Sequence, residues 1–389
     1  MSKFSVVLNR LRSLPIASRN KRHPFELGNV RTQDRIQADV RVERRGQGRL
    51  LHPASDFDCG LVIAGGTPPG IRSAALAFRG VQRFFESAAI ERRLTPWTVL
   101  GFMSDSMEPN GLAAVLHEDD ESVQFINVTA GAFFHTLFSA YHIVSDERFE
   151  PSLPGRGNYV EAHATGLFPI TLHVPASVER RSRATRFAVT AMRVTFFHEL
   201  AHILRGHMVF LHRTLGAAGG TIVEAIGNPT APAAAVDLRR RALETDADDF
   251  SGRFMARQFF KDFRPEQLSL DDARFRSRAF EVIVGVVLMY SWFAESSEYH
   301  SGSLRACVAL GSMFMELGLE VKTSARWVRD RVSGLQALMV DRGLLPEGAG
   351  LVSQAQLLDL NEQTEAYRQA HMRDWLQLRP WGYEDGNPG

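Results

Sequence analysis

The pentapeptide HELAH at positions 198–202 constrains the fold of this chain more than any other segment. If it is helical, its two imidazoles lie about one turn apart on the same helix face. Both rings can then reach one zinc ion at about 2.0–2.1 Å, with the intervening glutamate beside the water molecule that the metal activates. The spacing therefore predicts a helix that carries two zinc ligands, His198 and His202, and a general base, Glu199.

An H-E-x-x-H match also arises by chance in a chain with 13 histidines, but the neighbours of this one are apolar. The surrounding large apolar and alanine side chains are Phe196, Phe197, Leu200, Ala201, Ile203 and Leu204. A helix of this composition is buried. Two histidines and a glutamate are costly in a buried position unless something satisfies them, so the context favours a metal site.

The composition is typical of a globular protein. The chain has 389 residues, of which 44% are hydrophobic and 23% charged, with ample material for a core. We expect a basic, partly irregular lead-in over 1–60, a catalytic domain over 61–320, and a C-terminal helical extension with a polar tail over 321–389. The lead-in carries twelve basic and four acidic side chains in its first fifty residues. It is either a solvated segment or an arm that binds an acidic partner.

Several features predict a cytoplasmic protein. The two cysteines, Cys59 and Cys307, form no C-x-x-C pair, which favours a reducing compartment. The N-terminal apolar run is too short for a signal peptide, and the longest apolar stretch, 280–294, is too short for a membrane span. The net charge of +1 gives no reason to expect nucleic acid as a partner. We therefore expect no membrane insertion, and the oligomeric state is not readable from the sequence.

Hydrophobic periodicity predicts helices separated by a few short strands. A helix is expected over 71–93, and strands are expected over 97–103, 123–128 and 167–174, with an acidic turn at 117–121. Ser177 is the predicted N-cap of a helix that continues through HELAH to Leu211. The segment 216–236 is expected to be a loop. Further helices are predicted over 130–143, 237–261, 273–294, 303–317, 323–342 and 353–376.

A catalytic zinc ion usually has three protein ligands, so a third must come from elsewhere in the chain. His207 and His212 follow on the same predicted helix, and five residues of helix turn His207 well away from His202. The better candidate is Glu244 on the next predicted helix. Asp248 shares its face and could accept a hydrogen bond from a ligand histidine. The alternative is an acidic, solvated helix face, and Asp246 and Asp249 are expected to be solvated in either case.

The combination of HELAH, a following Gly-His pair and the segment ETDAD at 244–248 resembles the gluzincin metallopeptidases. The resemblance is to the HtpX-type and CAAX prenyl protease family, and to soluble relatives of the ImmA/IrrE and Lit types. It spans about 177–317 and implies that the glutamate of E-x-x-A-D, here Glu244, is the third zinc ligand. Because the membrane spans of the HtpX type are missing, the soluble relatives are the closer parallel.

A further segment, 297–305, stands where that family often has a His-Pro pair followed by an arginine, although proline is absent here. The resemblance implies that Tyr299 or His300 takes part in catalysis, or that Arg305 stabilises the developing oxyanion. A loop of ordinary polar residues between two helices is the alternative.

The sequence thus predicts a mainly helical α+β, zincin-like domain with a small sheet above the HExxH helix. We expect a zinc endopeptidase that hydrolyses a protein or peptide substrate. Two other classes remain open. One is a regulatory or sensing protein on the same scaffold with little or no peptidase activity. The other is a helical protein with a structural zinc ion, or with no metal, in which the histidines are core residues.

Overall fold

The computed structural model describes residues 81, 98–104, 110–118, 121–155, 158–164, 170–215, 221–224, 237–291, 300–319, 321–345 and 360–378. The lead-in expected over 1–60 lies outside these residues. So does the helix expected over 71–93, apart from Val81, which is helical and buried.

The strands within the described residues form two sheets. They are β1 (Thr98–Ser104), β2 (Gly111–Glu118), β3 (Glu121–Thr129), β4 (Tyr159–Ala164), β5 (Ile170–Pro175) and β6 (Thr221–Glu224). Four of them form one sheet in the order β1-β3-β2-β6, in which β1 is parallel to β3 and the other pairs are antiparallel. The strands β4 and β5 form a separate antiparallel pair.

Helices make up most of the described chain, which confirms the predominantly helical character expected from the sequence. They are α1 (Ala130–Ser145), α2 (Val178–Leu204), α3 (His207–Leu215), α4 (Leu238–Phe259), α5 (Ala273–Tyr290), α6 (Gly302–Glu316), α7 (Val321–Asp341) and α8 (Glu365–Leu376). A 3-10 turn spans Pro265–Gln267, and a π-helical turn at Leu360–Thr364 precedes α8. None of the described helices is both long and apolar enough to cross a bilayer.

Short polar side chains begin the main helices. Ser177 accepts a hydrogen bond from the backbone N–H of Arg180, which confirms it as the N-cap of α2. Four other helices start in the same way, at Thr129, Asp237, Asp272 and Ser301. These caps satisfy backbone donors of the first turns that have no partner within the helix.

The HExxH helix α2 lies at the centre of the molecule. It packs against α1, α4 and α5, and the strands β2 and β3 contact it as well. Its second half is buried on nearly every side, because these neighbours surround it. The C-terminal helix α8 packs against α3 and α4, so part of the extension expected over 321–389 contacts the two helices that follow the HExxH helix.

Three strands, β2, β4 and β6, were not predicted, because the expected strands correspond to β1, β3 and β5. Of the acidic turn expected over 117–121, residues 117 and 118 belong to β2 and residue 121 to β3, and the register pairs Glu118 with Glu121. Residues 119 and 120 lie outside the described residues. The sequence of β2, GLAAVLHE, lacks the alternation of apolar and polar residues that identifies a half-buried strand. The segment 216–236, expected to be a loop, contains β6, which pairs with β2. Four residues between glycine- and proline-rich flanks give too short a pattern to recognise.

The prediction that α2 continues to Leu211 is wrong. The helix ends at Leu204, and Gly206 has a φ of 80°, a left-handed conformation that glycine adopts without strain. The chain changes direction there and starts α3 at His207. This turn brings His207 back towards the HExxH motif.

Candidate metal centre

His198 and His202 of α2 and Glu244 of α4 meet in the protein interior and form a group that could hold a metal ion. The two Nε2 atoms are 3.0 Å apart. The Nε2 atom of His198 is 3.2 Å from Oε2 of Glu244, and that of His202 is 3.6 Å from Oε1. A tetrahedral zinc ion with ligand bonds of about 2.0–2.2 Å separates its ligand atoms by roughly 3.3–3.6 Å. The two nitrogens and the two carboxylate oxygens therefore have nearly the spacing that such an ion requires, with each nitrogen nearest to a different oxygen of Glu244.

The orientation of His198 is set by Asp248, one helical turn after Glu244. Its Nδ1 atom lies 2.8 Å from Oδ1 of Asp248. An ionised carboxylate only accepts hydrogen bonds, so Nδ1 of the histidine carries the proton. The lone pair of His198 is then on Nε2, which faces His202 and Glu244. This is the carboxylate–histidine support that metal sites commonly have.

The orientation of His202 is set by a longer chain of contacts. Its Nδ1 atom lies 3.0 Å from Nδ1 of His207, whose Nε2 lies 3.0 Å from Oδ2 of Asp246. Burial lowers the pKa of His207 to about 4, although Asp246 opposes this effect, so the ring is neutral near pH 7. A neutral His207 that donates to Asp246 accepts from His202 through Nδ1. The lone pair of His202 is then on Nε2 as well.

The charges around the group also favour a cation. Burial raises the pKa of Glu244, but the electrostatic effects of His202 and Arg305 outweigh it, and the pKa lies well below its usual value. The pKa of Asp248 is also lowered, because Arg305 and His198 outweigh the effect of burial. These two buried carboxylates face one guanidinium, and Glu199 is buried next to His198. A divalent ion would offset the remaining negative charge.

Arg305 of α6 connects the carboxylates. Its Nε is 3.0 Å from Oδ2 of Asp248, and its Nη2 is 2.9 Å from Oε2 of Glu244. The same Nη2 lies 3.1 Å from Nε2 of His198. The phenol of Tyr290, at the end of α5, donates to Asp248, and the Arg305 guanidinium lies 5.0 Å from the centre of its ring. Arg305 and Tyr290 therefore hold Asp248 in place from two further helices.

The expectation that Asp246 is solvated is wrong. Its side chain is fully buried and accepts hydrogen bonds from Arg205 at 2.8 and 2.9 Å, in addition to its contact with His207. Arg368 of α8 lies 3.3 Å from the same carboxylate. The turn at Gly206 is the physical reason, because it places Arg205 and His207 against the face of α4 that carries Asp246.

Asp249, also expected to be solvated, is partly buried. Its Oδ1 accepts a hydrogen bond from Ser312 of α6, and its Oδ2 accepts one from Arg253. Its side chain is 15% exposed, which leaves it at the edge of the helix contact.

The strand β2 reaches the metal centre at Gly111. A Cβ atom on this residue would lie only 2.6 Å from Oε1 of Glu199. The backbone of β2 therefore passes directly against the carboxylate of the predicted general base, and any side chain at position 111 would displace it. Nothing in the local sequence pattern identified this contact, because it joins residues 88 positions apart.

Of the three candidate residues in the 297–305 segment, His300 and Arg305 lie among the described residues. Tyr299 lies outside the described residues. His300 is buried, and its Nε2 is 3.1 Å from Oγ1 of Thr364, which links the start of α6 to the C-terminal segment. Arg305 contacts the carboxylates of the metal group. The catalytic roles expected for Tyr299 and His300, and oxyanion stabilisation by Arg305, stay predictions.

Comparisons of this chain with protein-family models, curated proteins and solved structures gave no match. The function is therefore argued from the residues of the metal centre and their geometry.

Proposed function

We propose that this protein is a zinc-dependent endopeptidase of the gluzincin type, with a zincin-like fold. The observation that carries the proposal is the convergence of three electron-pair donors, on His198, His202 and Glu244, within 3.0–3.6 Å of one another. The hydrogen bonds of both rings direct their lone pairs to the same point. The Arg305 guanidinium also contacts Oε2 of Glu244 and Nε2 of His198, so a bound ion would share these two atoms with it.

Zinc, when bound, polarises a substrate carbonyl and lowers the pKa of a water molecule. In our proposal Glu199 accepts the proton of that water and passes it to the leaving amine. Asp248 and the His207–Asp246 pair hold the two imidazoles in the orientation that binding requires. Gly111 gives the Glu199 carboxylate the space it occupies.

The sheet supports a peptide as the substrate. Its strand β2 contacts α2 and passes against Glu199 at Gly111. At Gly111 the strand β2 is paired with β3 on one side and with β6 on the other, so among the described strands of this sheet only β1 and β6 have a free edge. In our proposal an extended peptide pairs through its backbone with β6, the edge strand next to β2. We propose a cytoplasmic protein or peptide as the substrate.

One observation favours a second candidate, a regulatory or sensing protein that binds the metal without general peptidase activity. The side chains of His198, Glu199 and His202 have no exposed surface. A substrate would have to displace part of the covering structure before it reached the metal. A sensor that only needs to bind an ion does not have this requirement.

Metal analysis of protein purified without chelator is the first test, and the wild type should contain one zinc ion per chain. Glu199→Gln should keep the zinc ion and lose hydrolysis, whereas Glu244→Ala should lose the zinc ion. A wild-type protein without metal would contradict both candidates. Full zinc occupancy in the Glu244→Ala protein would exclude Glu244 as the third ligand.

A comparison of new peptide termini in cells that contain wild-type or Glu199→Gln protein then separates the two candidates. The endopeptidase requires termini that depend on Glu199. Equal sets of termini, with zinc present in both proteins, would favour the sensor.

A further inference from the structure

A second cavity lies away from the metal centre, between the turn after α1 and the helices α2, α5 and α7. Its volume is about 610 Å³, within the range of sites that enclose a small organic molecule. On α2, the lining residue Arg183 precedes His198 by fifteen positions, or about 22 Å of helix. The cavity is therefore a separate site.

Aromatic side chains form one part of the cavity wall. The rings of Phe149 and Phe280 stack with their centres 5.8 Å apart, and Trp327 of α7 lines the same space. The guanidinium of Arg331 lies 5.9 Å from the centre of the Phe280 ring and 5.7 Å from that of Trp327. A flat ring would find both aromatic and guanidinium surfaces here.

The other part of the wall is positively charged. Four arginines and two acidic residues line the cavity. Arg183 is neutralised by Glu150, with which it makes two hydrogen bonds of 2.9 and 2.7 Å. Arg148 is held by Asp146 and by Asp341.

Arg276 and Arg331 are different. Within the described part of the chain, neither has a carboxylate partner. Arg276 donates to the backbone carbonyls of Leu270 and Asp271, which fixes its position without neutralising it. The Arg331 guanidinium contacts the rings of Phe280 and Trp327 described above. Asp330, the other acidic residue of the lining, lies 3.8 Å from Nε of Arg329. The guanidiniums of Arg276 and Arg331 are thus available to an anion.

Gly334 contributes open space to the cavity. It lies inside α7 and lines the cavity, and a Cβ atom at this position would meet no other atom within 4 Å. Neither close packing nor a left-handed backbone requires glycine here, and glycine weakens a helix interior. The absence of a side chain leaves the cavity open.

We propose that this cavity binds a small molecule with a flat aromatic ring and one anionic group. The ring packs against Phe280 and Trp327, and the carboxylate or phosphate pairs with Arg276 and Arg331. The site does not depend on the proposed peptidase activity, because it shares no residue with the metal centre.

Calorimetric titration of the full-length protein tests the proposal with two anions and their neutral counterparts. Indole-3-carboxylate is compared with indole-3-carboxamide, and adenosine monophosphate with adenosine, so that a carboxylate is distinguished from a phosphate. At least one anion should bind at least about tenfold more tightly than its neutral counterpart. Arg331→Gln and Arg276→Gln should each remove most of that preference.

Gly334→Leu and Gly334→Ala form the matched pair. The leucine side chain extends into the cavity and should abolish binding, whereas alanine should preserve it and raise the melting temperature. Zinc content and melting temperature show that both variants are folded. The proposal is wrong if no anion binds better than its neutral counterpart, or if the leucine variant binds as well as the alanine variant.

Discussion

The Nδ1 atom of His202 lies 3.0 Å from the Nδ1 atom of His207. This contact joins a candidate zinc ligand on α2 to a histidine on α3, which in turn contacts Asp246 on α4. Three helices thus determine the orientation of one imidazole ring. His207 has no role as a ligand in this arrangement, but it decides which nitrogen of His202 is free to bind.

Replacing His207 by phenylalanine should weaken zinc binding by a factor of about 10–100, the usual effect of losing a residue that supports a metal ligand. Phenylalanine keeps the ring volume but offers no acceptor to His202. Zinc affinity is measured by competition with a chromophoric chelator. Asp249→Asn is the control, because Asp249 lies on the same helix as Asp246 and contacts Arg253 and Ser312. Equal affinities for the two variants would contradict the orienting role.

Residue spacing within a single helix was enough to predict most of the metal group. The four-residue spacing of His198 and His202, and that of Glu244 and Asp248, each define a helix face, and the structure brings the two faces together. The contributions of His207 and Asp246 could not be predicted in this way. They depend on the turn at Gly206, which reverses the direction that a continuous helix would have given His207. A helical wheel contains no information about such a turn.

The contact between Gly111 and Glu199 allows a test of the proposed general base. Gly111→Ala would place a methyl group 2.6 Å from Oε1 of Glu199, so the carboxylate must move. A displacement of about 1 Å at a catalytic group reduces turnover by roughly 100-fold. Peptide hydrolysis should therefore fall by about that factor while zinc content is unchanged.

Gly311→Ala is the matched control for this variant, because a Cβ atom at position 311 meets no atom within 4 Å. It should leave hydrolysis unaffected. If Gly111→Ala protein is as active as the control, Glu199 does not act as a base in the position that the structure gives it.

We expect the hydrogen bond of Tyr290 to contribute measurably to the free energy of unfolding. Its phenol donates to the buried carboxylate of Asp248, which also binds His198 and Arg305. Tyr290→Phe removes a hydrogen bond to a charged group and should lower the free energy of unfolding by about 2 kcal/mol. Denaturant unfolding measures the change. Tyr367→Phe, at a partly exposed position on α8, should change the free energy by less than about 0.5 kcal/mol.

We expect the ion pairs of Asp146 to make the stability depend on pH, and this effect does not involve the candidate metal centre. Hydrogen bonds from Arg148, and from Arg342 beyond the end of α7, hold the pKa of this buried carboxyl well below its usual value. A lowered pKa in the folded state stabilises the protein above the pKa of the unfolded chain, and this stabilisation is lost as the pH falls. The wild type should therefore lose stability more steeply below about pH 5 than Asp146→Asn. Parallel curves for the two proteins would show that the ion pairs contribute nothing.

We expect the C-terminal helix α8 to support the candidate metal centre through the contact of Trp375 with His207. Its ring is fully buried and meets the rings of His207 and Phe210, each at 5.6 Å between centres. Trp375→Ala leaves a large cavity beside His207, so it should lower the free energy of unfolding by about 3–5 kcal/mol. Because His207 then loses the surface that positions it, zinc affinity should fall as well. Trp375→Phe keeps an aromatic ring in place and should show a smaller loss of both. An alanine variant that loses stability but binds zinc as tightly as the wild type would show that α8 stabilises the fold without positioning the ligands.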